Sequence, residues 1–199
     1  MSYVKIDTSE HTIETERLIL RLWKETDLMD FYLYASQPGV GELAGWHHHK
    51  NIDESKEILE MFITNKNDFA IVLKETNKVI GSFGFHDSWV NKDDESEYKN
   101  LKNLSIGYVL AKTYWGRGLM PEALNAVIKY LFDNDIVEAI AISHFQHNIQ
   151  SKRVIEKAGF KFVRDGTHMT RMGIEHKDKK YILLKNSFEE LLNASLENQ

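Results

Sequence analysis

Gly116-Arg117-Gly118, with Pro121 and an apolar helical stripe behind it, is the stretch of this 199-residue chain best suited to hold an anion. Glycines let main-chain N–H groups crowd around a negative charge, and the positive end of a helix dipole adds to the attraction. The ligands open to such a turn are a dinucleotide, a nucleoside triphosphate or the pyrophosphate of coenzyme A; a plain structural loop is the fourth reading. A dinucleotide turn of the βαβ type requires a third glycine three residues after the second. That position is Pro121, which fits the first turn of a helix because its missing N–H has no intrahelical partner there. A triphosphate loop requires Gly-Lys-Ser/Thr after the glycines, and none follows.

Two histidine groups raise the question of a metal. His47, His48 and His49 are consecutive and cannot all aim at one ion from a regular element. His144-x-x-His147 lacks a cysteine or paired carboxylate to complete a ligand set, so no metal site is expected. The chain has no cysteine, which removes disulfides, thiolate ligands and a cysteine nucleophile and fits a reducing compartment, the cytoplasm by default. A net charge of −5 argues against nucleic-acid backbone binding and suits an amine-bearing partner. No segment approaches the roughly 20 apolar residues of a membrane helix. The N-terminal stretch has no apolar run behind a basic start, so neither anchor nor signal peptide is expected. The acidic run Asp93, Asp94, Glu95 and Glu97 reads as a solvated hairpin, or more weakly as attraction for a cationic acceptor.

The elements that must position these residues follow from periodicity. Leu18, Leu20 and Leu22 alternate with Arg17, Ile19 and Arg21 in a half-buried strand. Leu28, Phe31, Tyr32 and Ala35 then recur at helical spacing, stopping near Pro38-Gly39. A second helix opens with Asp53 as N-cap and carries Ile58, Leu59, Phe62 and Ile63. "FAIVLK" and "VIGSFGFH" form a hairpin, and "LSIGYVLA" is the strand leading into the glycine turn. Beyond the turn, Leu124, Val127, Ile128 and Leu131 make one buried helical stripe. "AIAISHF" is a central strand covered on both faces, and a short helix from Asn148 to Ala158 stops at Gly159. "FKFV" and "KYILLK" are late strands, and a terminal helix spans 187–197. With no repeat or linker, one domain over 1–199 is expected, its core about 14–185. The order predicts an α/β or α+β fold with a mixed sheet, without the regular alternation of a doubly wound dinucleotide domain.

"IGYVLAKTYWGRGLMPEAL" followed by "HNIQSKRVIEKAGFKFV" resembles the acetyl-coenzyme A signature of the GNAT superfamily of N-acyltransferases. The chain most resembles the branch that includes the ribosomal-protein N-terminal acetyltransferases, from "TERLILR" to the last strand. The resemblance implies a mostly antiparallel sheet of about seven strands, splayed in the middle and flanked by helices, with acetyl-CoA as co-substrate. It implies that main-chain groups of Tyr108, Val109 and Leu110 pair with the pantetheine arm. Trp115, Gly116, Arg117, Gly118, Leu119 and Met120 would present N–H groups to the pyrophosphate, with the Arg117 side chain reaching a phosphate. Asn148 would bond the pantetheine arm from the other side, and Ser151 would sit near the thioester sulfur. Thr113 stands where relatives often have Gln or Arg. Ser105 stands where they often have an acidic residue just before "IGY", so the resemblance assigns no catalytic base.

Acyl transfer to an amine needs an unprotonated amine, a polarised carbonyl and a proton for the departing thiolate. A lysine amine with pKa about 10.4 is almost wholly protonated at neutral pH, whereas an α-amino group near 7.7–8.0 is far less so. A main-chain N–H near Val109 or Leu110 is the expected oxyanion donor, and Ser151 the proton relay to sulfur. Glu97, His86 and His144 are the candidate bases, a water chain to one of them being an equal alternative. The implied function is acetyl transfer from acetyl-CoA to a primary amine on a small molecule or a protein N-terminus, such as that of a ribosomal protein, by a monomer or homodimer. The competing reading is a non-catalytic acyl-CoA sensor on the same fold. The resemblance implies that the loop over residues 38–52 borders the acceptor pocket, which Trp46 and one of the histidines would help shape.

Overall fold

The computed structural model describes residues 4–92 and 96–197; Asp93, Asp94 and Glu95 of the acidic run lie outside them. Its centre is one sheet of eight strands: β1 (Ile13–Glu14), β2 (Leu18–Leu22), β3 (Asp68–Leu73), β4 (Lys78–His86), β5 (Asn103–Leu110), β6 (Ala139–Phe145), β7 (Lys161–Met169) and β8 (Glu175–Leu184). Their spatial order is β1-β2-β3-β4-β5-β6-β8-β7. Seven strands match the hydrophobic runs; the eighth, β1, has two residues, too few to show a period.

All neighbours run antiparallel except β5 and β6. That parallel pair is joined only from Asn103 to Ser105 against Ala139 to Ala141, after which the two strands part. β5 stays paired with β4 as far as Leu110, so its far edge opens into a gap. This splay is the fold's main provision for a ligand, because it leaves strand-edge N–H and C=O groups without a neighbouring strand.

Helices α1 (Leu28–Ala35) and α2 (Ile52–Asn65) cover one face, packing Phe31 and Leu59 with Trp23 onto Ala70, Val72 and Val79. α3 (Leu119–Asp133) and α4 (Ile149–Lys157) cover the other, where Leu124, Val127, Ile128 and Leu131 meet Leu20, Phe83 and Ile140. Those four α3 residues are fully buried, and truncating one to alanine costs about 2–5 kcal/mol. α5 (Lys185–Glu197) follows β8 and brings Phe188 against Phe132.

The cap of α2 is Asn51 rather than Asp53: the Asn51 side chain accepts from the Glu54 N–H at 2.9 Å, two residues earlier than the acidic pattern indicated. β7 and β8 extend well past "FKFV" and "KYILLK". Their outer halves are largely exposed and charged, so no apolar alternation announces them. That extension carries the turn at Thr170–Gly173 over to the α1–α2 connection, where the Arg171 N–H donates to the Gly45 carbonyl.

Candidate active site

The gap between β5 and α4 is a cleft of about 420 Å³, a size typical of small-ligand sites. Tyr108, Val109 and Leu110 line it from β5, Trp115, Gly116 and Gly118 from the turn, and Met120 from the start of α3. Asn148 and Ser151 line it from the start of α4. Val40, Leu43 and Ala44 of the α1–α2 connection form the opposite wall.

Gly116 and Gly118 have φ of +75° and +76°, where residues with a Cβ are strained. A Cβ on Gly116 would meet nothing within 4 Å, so it is the backbone conformation and not crowding that calls for glycine, and the space before the turn stays open. The turn is braced from behind. Arg17 donates through Nη1 to the Arg117 carbonyl at 3.0 Å and through Nε to Glu122 at 2.7 Å. Burial works to raise the Glu122 pKa, but hydrogen bonds from Thr15 and Arg17 outweigh it and hold the carboxylate below its ordinary range.

Two expected phosphate residues sit differently. The Arg117 side chain does not line the cleft; its guanidinium lies 5.2 Å from the Tyr114 ring centre. The Leu119 side chain is buried in the α3 core, so only its main-chain N–H is available to an anion.

Strand alternation assigns the free main-chain groups on β5. The Ala111 N–H bonds to the Ile80 carbonyl on the β4 side, which places Val109 on that side too and turns Tyr108 and Leu110 toward the gap. The Leu110 carbonyl is already taken by Trp115 Nε1 at 2.7 Å. The Leu110 N–H is therefore left facing the gap, whereas Val109, named with it from the sequence, turns its N–H to β4 and lends the cleft a side chain. Asn148 caps α4 by accepting from the Ser151 N–H at 3.1 Å and donates to the Leu43 carbonyl at 3.4 Å, tying the helix to the far wall. Ser151 Oγ lies 3.0 Å from the Tyr108 hydroxyl. Burial raises the Tyr108 pKa more than the Ser151 contact lowers it, which keeps the phenol protonated and able to donate.

Across the α1–α2 connection lies a second recess of about 260 Å³, lined by Phe31, Trp46, His47, His49, Ile58 and Phe62 and closed by Arg171 and Met172. Trp46 lines this recess, and the three consecutive histidines make separate contacts. His47 lines the recess, His48 Nδ1 pairs with Glu42 at 2.7 Å, and buried His49 bonds Ser55 at 2.7 Å. Burial alone would raise the Glu42 pKa, but bonds from His48 and from the Gly39 N–H win and pull it down to about 2. Lys112 adds a hydrogen bond to the Pro38 carbonyl, fastening the connection to the glycine turn.

None of the candidate bases, Glu97, His86 and His144, lines either cavity. Glu97 is exposed in a turn before β5, beside Tyr98. His144 shares the face of β6 with Ile140 and Ile142, buried near α4, with contacts to the Phe145 carbonyl at 2.8 Å and the Tyr181 hydroxyl at 3.3 Å. Strand parity thus aims it away from the recess. His86 ends β4 on the α1/α2 face, directly opposite Ser105. No sequence pattern singles out Asp68, Arg171, Arg153 or Lys157, the last two on the α4 wall of the cleft. An aspartate opening the strand "DFAIVL" was the one available signal, since Asp is poorly suited to strands.

A model of the GNAT acetyltransferase domain matches residues 17–161, and the chain belongs to that family. N-acetyltransferase p20 of Bacillus licheniformis is 27% identical over 154 residues, covering 75% of this chain and 82% of its own length. The crystal structure of a GNAT-family acetyltransferase from Bacillus anthracis aligns with a TM-score of 0.76 at 20% identity, covering 88% of this chain and 99% of that one. Ribosomal-protein-S5-alanine acetyltransferase from Vibrio fischeri aligns with a TM-score of 0.66 at 19% identity, covering 89% and 98%. The chain is an N-acetyltransferase with acetyl-CoA as co-substrate, which supersedes the sensor reading.

Proposed function

We propose that the acceptor is a primary amine, an α-amino group at a protein N-terminus such as that of a ribosomal protein, in the cytoplasm, and that it attacks the thioester directly. The observation that carries this reading is the adjacency of two cavities across residues 40–49: one runs along the splayed β5 edge, the other is a smaller, aromatic-lined recess. The first suits an extended donor, and the second has room for the leading side chain of a peptide. An α-amino group suits the site because a useful fraction is unprotonated near neutral pH. Among the described residues no helix is long and apolar enough to cross a membrane.

In this reading the N–H groups of the turn from Trp115 to Met120 hold the pyrophosphate, with Arg117 swinging to a phosphate. The open β5 edge and Asn148 hold the pantetheine arm. Leu110 N–H polarises the carbonyl, and the coupled Tyr108 and Ser151 hydroxyls protonate the thiolate. No acyl-enzyme is needed. The test is thiol release from acetyl-CoA with peptides beginning in Ala or Ser, a polyamine and an aminoglycoside, beside calorimetric titration of acetyl-CoA. Saturable turnover with a peptide is expected; turnover only with the small amines would move the acceptor to that class.

A further inference from the structure

The sheet face beneath the recess holds a pair of titratable groups that the residues above do not use. Asp68 opens β3 opposite Gly84 of β4, is 8% exposed, and makes no ion pair among the described residues. A Cβ on Gly84 would lie 2.3 Å from Asp68 Oδ1 and 2.8 Å from His86 Nε2. The missing side chain at 84 is what lets carboxylate and imidazole converge over the strand. His86 Nε2 also lies 3.4 Å from where a Cβ on Gly107 would stand, so the ring leans over β5 between Ser105 and Val109. Val109 lines the donor cleft, and Ser82, two positions before Gly84 on the same face of β4, lines the recess. The imidazole thus shares the sheet face of Ser82 and Val109, four positions further along β4 from Ser82 and directly across the strand pair from Ser105. That serine does not titrate near neutral pH; its hydroxyl donates to the Ala141 carbonyl at 3.3 Å.

The geometry points to His86 as the group that takes the proton from the acceptor amine, with Asp68 as its positioning residue. This rests on the amine-acetylation reading above. The amine nitrogen forms a bond to the thioester carbonyl carbon, and its N–H proton passes through intervening water to His86 Nε2. The C–S bond breaks with its electron pair on sulfur, and the thiolate takes a proton from the Tyr108–Ser151 pair. His86 then releases its proton to solvent, from which Tyr108 is reprotonated. The products are the N-acetylated amine and the free thiol.

The surroundings suit the task. The charged and titratable groups facing the ring among the described residues are Asp68 from β3, Arg171 from the β7–β8 turn and, behind Asp68, Tyr34 from α1; β5 presents only Ser105 and Gly107. His86 is exposed at the end of β4; partial desolvation by the protein atoms around it, followed by the Arg171 charge, lowers its pKa and leaves the ring neutral at neutral pH. Burial pushes Asp68 up to about 7 against the pull of Arg171. The pair therefore changes its proton count near the pH at which an α-amino group begins to be available.

The test uses the full chain, acetyl-CoA and a peptide with an N-terminal alanine. His86→Gln is expected to lower kcat/KM by about 100-fold, the lower range for a general base, while acetyl-CoA affinity measured by calorimetry stays within about two-fold. Free imidazole should restore part of the turnover of His86→Ala, a response that a purely structural role would not give. Asp68→Asn should lower kcat while acetyl-CoA affinity stays within about two-fold, and should flatten the kcat/KM profile around neutrality, where the carboxyl loses its proton. An unchanged rate and profile in His86→Gln, or a loss with neither imidazole rescue nor retained acetyl-CoA binding, overturns the assignment and leaves the acetylation reading standing. If the wild-type chain binds acetyl-CoA but acetylates none of the amines, the acceptor reading falls and this assignment with it.

Discussion

The cleft along β5 and the recess across the α1–α2 connection share a wall but are built from different material. The cleft adds main-chain groups to its side chains: two glycines in the left-handed region, the open edge of β5, and the first turn of α4 with its asparagine cap. The recess is side chains from widely separated segments, with Phe31 on α1, Trp46 on the connection, Phe62 on α2 and Arg171 at the β7–β8 turn. A surface made of N–H and C=O groups presents the same chemistry whatever the side chains are, so it suits a ligand that never varies. A surface made of side chains changes with each substitution and suits the partner that differs from one enzyme to the next.

Gly118→Glu gives the largest expected effect on this contrast. It forces a Cβ into φ +76° and sets a carboxylate in the anion turn. Acetyl-CoA affinity, read by calorimetry, should fall by more than about 100-fold, through charge repulsion added to backbone strain. Near-native affinity would mean that the pyrophosphate does not lie on the turn.

Asp68→Asn probes the other side through stability. Burial raises the Asp68 pKa from 3.8 to about 7. A carboxylate shifted upward favours the folded state when protonated, so its stability contribution is present at low pH and is lost as pH rises through the window between those two values. Asparagine removes that loss. The variant should melt higher than wild type at about pH 8, by about 2 kcal/mol or roughly 4–8 °C, and equally at about pH 4. A gain of stability together with a loss of rate would mark the recess as a place where the fold carries strain for function.

How much of each region was legible in the sequence follows from the same difference. The cleft showed itself because its parts are contiguous: glycines, proline and a helical stripe in one run, and a second run about thirty residues on. Even there, side-chain roles were harder to read than main-chain ones, as Leu119 and Val109 show. Leu119 has a core side chain, and the N–H of Val109 turns to β4, a matter of strand parity that a motif does not reveal. The recess left only Trp46 and a histidine to find. Asp68, His86 and Arg171 come within reach of one another only through the β3–β4 register and the long β7–β8 hairpin, whose exposed half has no apolar period. His144 looked as plausible a base as His86 because both end strands; only the face each points to separates them.

Arg17→Met, which keeps the apolar stem but drops the guanidinium, tests whether the turn depends on its brace. The lost partners are the Arg117 carbonyl and the Glu122 carboxylate. With Arg17 partly solvent-exposed, a weakening of acetyl-CoA binding of about five-fold is expected, the worth of one modest hydrogen bond. Turnover at saturating acetyl-CoA should be nearly unchanged, since no recess residue moves. A matching loss in acceptor KM would show that the two regions are mechanically linked through β2.

Glu42→Gln has the smallest expected effect and addresses the shared wall directly. Glu42 holds the Gly39 N–H and both the N–H and Nδ1 of His48, so it fixes a connection that gives Val40, Leu43 and Ala44 to the cleft and Trp46 and His49 to the recess. Its pKa, pulled from 4.5 to about 2, means that its contribution is present above the higher value and is lost as pH falls toward the lower. Glutamine is uncharged and cannot supply two equivalent acceptor oxygens. The variant at neutral pH should therefore behave as wild type does in acid, with a looser connection. The cleft has its glycine turn and its β5 edge to fall back on, whereas the recess has lost the positioning of two of its aromatic walls. Steady-state kinetics should accordingly show acceptor KM rising about three-fold and acetyl-CoA KM rising by less, with kcat held. If acetyl-CoA KM rises more, Val40 and Leu43 matter more to the donor than its main-chain contacts do, and the contrast between a backbone-built and a side-chain-built site no longer holds at the wall they share.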